Sequence, residues 1–275
     1  MSRPSFTRFA QHYWATLLAE FGTVYLDEPV PRAPTLRVHK YPSRSNFGTT
    51  VLETLTANQP SVWVSPEIVA EAELVDVLFE PNLEQSRTAL GLLGALITAP
   101  CIIETLRSIP TTRNFRKCFG NGLRWQVESD GGILPIDAMS GDDSMIEDSS
   151  EDETEELEKQ LIVVVPSMTE KQLAGWGAEP NHRNVAGLYE LAPIWCTTIV
   201  LTRELPPTAE TLWLRLLSRG AAQRAAIQEL MQLDSSHPFR DVVLRSLQHW
   251  YQQMGREQTG RESLETMRLL SQIEI

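Results

Sequence analysis

The stretch "QLIVVVPS" (160–167) constrains the fold more than any other part of this 275-residue chain. Five successive apolar residues, Leu161 to Val165, leave no polar face for water. A strand of that kind belongs inside a sheet covered on both sides. The run "AELVDVLFE" (72–80) has the same character, broken by one acid, Asp76. After Val165 the order strand–helix–strand–strand, through "MTEKQLAGWG", "AGLYELAP" and "IWCTTIVLTREL", predicts a mixed α/β sheet.

Flanking segments supply the helices. "SFTRFAQHYWATLLAEFG" (5–22) sets Phe6, Phe9, Tyr13, Leu17 and Phe21 at helical spacing, with Ser5 as cap and Gly22 as stop. "TVYLDEPVP" reads as a strand. "EQSRTALGLLGALITA" (84–99) reads as one compact helix, and "CIIETL" after Pro100 as a strand or a turn. "TTRNFRKCFGNGLRWQVES" (111–129) has helical charge spacing, although each glycine of "GNG" costs a helix about 1 kcal/mol. From Pro206 the chain is helical, with Thr208 capping the first helix and Gly220 ending it. The expected fold is therefore a small mixed sheet with flanking helices and a C-terminal helical segment. Its parts are 1–136 with an insertion at 32–66, an acidic loop at 137–158, the rest of the α/β core at 159–205, and helices over 206–275.

Charge is distributed unevenly. The net charge is −12, yet residues 137–158 alone hold eleven acids and no base, so the remainder is close to neutral. Such a block is a solvated arm able to meet a basic partner. The nearly neutral body argues against strong non-specific binding of nucleic acid. Cys101, Cys118 and Cys196 are few and widely spaced, which points to reduced thiols, not disulfides or zinc. No apolar run reaches membrane-spanning length and no secretion signal opens the chain, so the expected location is cytoplasmic. The five histidines show no metal-ligand spacing, and neither a phosphate loop nor a nucleophile elbow occurs.

Asp76 needs an explanation, because an unpaired charge in an apolar strand costs several kcal/mol. Either it works at a site or it closes a local hydrogen bond at a strand rim. The best candidate nucleic-acid contact is "TTRNFRKC" (111–118), which puts Arg113, Arg116 and Lys117 around Phe115 on one side of a helix.

Three segments, "ELVDVLFEPN", "LGLLGALITAPCIIETLRSIPT" and "IVLTRELPPTAETLWLRLLSRG", together resemble an uncharacterised cyanobacterial family. That family is distantly similar to the recombination-promoting nuclease and putative transposase proteins. The resemblance covers roughly 1–30 and 70–255, and implies a PD-(D/E)XK-type core that cuts DNA with Mg²⁺. It places Asp76 at the first acid, and the nearest apolar-flanked acid after it is Glu104, in "CIIETLR". The chain departs from the pattern after Glu104. No acid stands two residues before any of the four lysines, and the residue two after Glu104 is Leu106, with Arg107 one further on. Glu158-Lys159-Gln160 matches acid-x-Gln in form only.

The leading expectation is thus a non-catalytic, nuclease-derived protein that needs no cofactor. It acts through protein binding, by its acidic loop and C-terminal helices. The alternative is a Mg²⁺-dependent DNA endonuclease in which Asp76 and Glu104 hold the metal and Arg107 replaces the motif lysine.

Overall fold

The computed structural model describes residues 6–29, 74–129, 159–254 and 261–271. The insertion at 32–66, the acidic loop at 137–158 and Ser5 lie outside the described residues. In chain order the first elements are α1 (Phe6–Leu18), β1 (Gly22–Pro29), β2 (Leu74–Pro81), α2 (Leu92–Leu96), β3 (Cys101–Thr105) and α3 (Thr112–Ser129). Next come β4 (Gln160–Val165), α4 (Glu170–Gly175), β5 (Glu179–Pro180), β6 (Leu188–Glu190) and β7 (Thr197–Leu201). Four C-terminal helices follow: α5 (Leu212–Arg215), α6 (Gly220–Gln232), α7 (Arg240–Met254) and α8 (Arg261–Leu270).

The protein is of the α/β class, with a seven-stranded mixed sheet in the order β1-β2-β3-β4-β7-β6-β5. The apolar run that opened the sequence argument, β4, is its middle strand, parallel to both β3 and β7. The outer pairs β1–β2, β2–β3, β7–β6 and β6–β5 are antiparallel. Alternation splits β4 between two cores. Ile162 and Val164 pack with α1 and the C-terminal helices, whereas Leu161, Val163 and Val165 face α3 and α4. Helices on both faces explain why no residue from Leu161 to Val165 could be polar.

Several polar atoms buried in the larger core are paired, although the Trp250 indole N–H is not. Tyr13 donates its hydroxyl hydrogen to the carbonyl of Trp213 (2.6 Å), and the Trp213 indole donates to the carbonyl of Ala89 (2.9 Å). Trp14 donates to Thr105 Oγ1 at 2.8 Å, which ties α1 to the end of β3.

Three expectations are corrected. Gly22 does not stop α1, which ends at Leu18; it opens β1. Residues 84–99 form no single helix but a turn, a 3-10 segment (Thr88–Leu90) and the short α2. Gly91 causes the break: its φ is +54°, and a Cβ there would lie 2.4 Å from the carbonyl oxygen of Glu210. Likewise Gly220 does not end a helix. The helix before it is only Leu212–Arg215, and Gly220 opens α6. By contrast "CIIET" (101–105) is a fully buried strand, and "GNG" passes through α3 without interrupting it.

A carboxylate pair under a basic helix

The register of β2 against β3 pairs Phe79 with Cys101, Leu78 with Ile102 and Val77 with Ile103. One step further, Asp76 comes opposite Glu104. The two acids brace each other's strands. Asp76 Oδ2 accepts the Thr105 amide hydrogen at 3.2 Å, and the Glu104 carboxylate accepts the Asp76 amide hydrogen. Glu104 is 6% exposed, and its Oε1 is buried with no hydrogen-bond partner. Its other polar neighbour is the thiol of Cys118 on α3, which donates to the carboxylate.

Burial dominates the electrostatics. It pushes the Glu104 carboxyl up to about 8, and the adjacent Asp76 charge pushes in the same direction. Asp76 is also raised, mainly by burial, against the lowering effect of the Thr105 amide; Asp27 adds to the rise. Lys117 acts in the opposite sense on both acids. Among nearby groups, Gln11 on α1 donates to Asp27 Oδ1 (2.7 Å) and to the carbonyl of Asp76 (3.1 Å), fixing β1, β2 and α1 together.

Asp76 and Glu104 open into a cleft of about 570 Å³ whose other wall is α3. Arg113, Arg116, Lys117 and Arg124 line that wall, and all four side chains are exposed. The cationic patch and the acid pair foreseen separately in the sequence are therefore two sides of one cleft. Arg107 does not line it. Its guanidinium stacks over Phe6 (5.2 Å) and Trp250 (4.6 Å), beside α1 and α7. The cation beside the acids is Lys117, from the following helix. Strand pattern gave no signal for it, because α3 is laid over β2 and β3 by tertiary packing alone. Gln160 is occupied elsewhere: its Oε1 accepts the amides of Thr98 and Ala99, and its Nε2 donates to Thr98 Oγ1. Glu158 lies outside the described residues.

Among the described residues no group of three or more His, Cys, Asp or Glu side chains is arranged to hold a metal ion. Two carboxylates are nevertheless the usual protein share of a Mg²⁺ site, where waters and substrate phosphates complete the shell. The orphaned, buried Glu104 Oε1 beside Asp76 fits such an ion. In the described residues no helix is long and apolar enough to cross a membrane. No family model matches the chain, and no curated protein or solved structure is significantly similar to it.

Proposed function

We propose that the chain is a Mg²⁺-dependent endonuclease whose reacting site is the cleft between Asp76, Glu104 and Lys117. The observation that carries this is Glu104: a buried carboxylate with one oxygen unpartnered, braced against Asp76 and facing a cationic wall. A buried carboxyl oxygen without a partner costs free energy that a bound metal ion would recover. The resemblance to the recombination-promoting nucleases is part of this reading.

Hydrolysis of a phosphodiester is redox-neutral. A water oxygen bonds to phosphorus, one P–O ester bond breaks, and the departing oxygen takes up a proton. The chemistry a bound Mg²⁺ supplies is polarisation of a phosphoryl oxygen and acidification of water. Asp76 and Glu104 would hold that ion. Lys117, exposed at the cleft, binds a non-bridging phosphate oxygen or orients the attacking water. Arg113 and Arg116 neutralise flanking phosphates.

Supercoiled plasmid incubated with the purified protein in Mg²⁺ or Mn²⁺ is the direct test, with Asp76→Asn and Glu104→Gln alongside. Cleavage lost in both variants is the expected result. No cleavage by the wild type in either metal, or equal cleavage by the variants, sinks the proposal. The chain would then return to the protein-binding reading. That reading rests on the acidic block at 137–158 and on the C-terminal helices, which carry a smaller cleft of about 390 Å³ between α6 and α8.

A further inference from the structure

Helix α3 contains two glycines two residues apart, and only one is explained by packing. A Cβ on Gly122 would lie 2.8 Å from Leu161 Cδ2 on the central strand, so that position must be small. A Cβ on Gly120 would meet nothing within 4 Å. Gly120 lines the cleft, in the interior of an eighteen-residue helix, where alanine is the better helix former. At 100° per residue, Arg113, Arg116, Lys117, Gly120 and Arg124 fall within roughly 100° of arc. Gly120 is thus a bare stretch of helix main chain in the middle of a cationic stripe.

From this we infer that Gly120 is the contact point of a nucleic-acid strand, and that the strand runs along α3 with its sugar-phosphate backbone seated on the helix main chain. The side chains fit that occupant. Arg113 and Arg124 are eleven residues apart, about 16 Å along the helix. That is the axial length of roughly five phosphates of one strand of a duplex. Cations on either side of Gly120 hold phosphates before and after the contact point, and the missing side chain lets the backbone approach closely enough for short charge-assisted hydrogen bonds. A small phosphate ester would use Lys117 and the acid pair and would gain nothing from Gly120. The inference extends the proposed endonuclease by assigning the path of its substrate.

The test separates helix stability from binding. Gly120→Ala and Gly120→Gln are compared with wild type by thermal melting, and by fluorescence anisotropy on a labelled 20-base-pair DNA duplex in Ca²⁺ at low salt. Both variants are expected to melt about 2–3 °C higher. Gly120→Gln is expected to bind DNA about tenfold more weakly, with Gly120→Ala between the two. Arg124→Ala should flatten the slope of log K against log salt by about 0.9. A Gly120→Gln protein that melts higher and binds DNA as tightly as wild type overturns the assignment. Hydrolysis of bis(p-nitrophenyl) phosphate by the wild type, measured in parallel, tells the two failures apart. Hydrolysis with no Gly120 effect defeats the strand path alone. DNA binding sensitive to Gly120 without any hydrolysis defeats the catalytic reading alone.

Discussion

The two faces of the sheet are made by the same strands and treated in opposite ways. On the face toward α1 and the C-terminal helices, Ile103, Ile162 and Val164 join a continuous core in which Tyr13, Trp14 and Leu17 are fully buried. On the face toward α3, the next residue along β3 is Glu104, and the apolar layer stops at a cleft. One face is built almost wholly of apolar side chains, and Tyr13 and Trp14 bury their polar atoms in hydrogen bonds, with the Trp250 indole N–H as an exception. The other keeps a buried carboxylate short of partners. The contrast shows where stability is concentrated and where it is sacrificed, a division expected of a binding or reacting site on a rigid scaffold.

The sharpest way to break this comparison is to damage the closed face. Trp14→Ala removes a fully buried indole and its bond to Thr105, and is expected to cost about 3–5 kcal/mol in urea unfolding. The open face should respond in the reverse sense. The Glu104 carboxyl lies above its ordinary value of 4.5, at about 8, so the folded state binds more protons than the unfolded state between those values. Its stability is therefore full below pH 4.5 and falls as the pH rises to 8. Glu104→Gln removes that loss and should stabilise the protein at pH 8.5 by roughly 2–4 kcal/mol, with little change at pH 4.5. A melting-temperature series across pH, without divalent metal, checks this; a parallel pH course for variant and wild type refutes it.

Smaller effects sharpen the division. Lys117→Ala should lower plasmid cleavage about 100-fold while shifting stability by less than about 0.5 kcal/mol, since the side chain is exposed. Arg107→Ala should do the converse. Losing the stack on Phe6 and Trp250 is expected to cost about 1 kcal/mol by denaturation, with cleavage retained.

Much of this division was legible in the sequence, and what was not has a physical reason. The apolar run at Leu161–Val165 announced a central strand because burial on both faces leaves an unmistakable composition. Asp76 and Glu104 stood out for the complementary reason, as acids in otherwise apolar strands. Cross-strand register brought them together, and either strand alone says nothing of register. Nearness to Glu104 in sequence points to Arg107 as the cation of the site, yet residues three apart at the end of a strand can leave on opposite sides of the sheet. The break in 84–99 was hidden for a similar reason: glycines that permit helix packing also permit a left-handed turn, and only contact with Glu210 decides between them. In the sequence Gly120 and Gly122 are alike a cost to α3, and only the distance to Leu161 separates them.

Thr105 belongs to both faces at once. Its hydroxyl oxygen accepts from Trp14 in the closed core, while its amide hydrogen rests on Asp76 at the edge of the cleft. A single backbone resonance can therefore report on two processes at separate timescales. The amide chemical shift will follow the charge on Asp76, and so register a cation or a proton arriving in the cleft. Its hydrogen-exchange rate will follow the opening of the core, because the residue cannot release one bond without straining the other. Occupancy of the cleft and integrity of the scaffold can then be watched in the same spectrum, through one nitrogen.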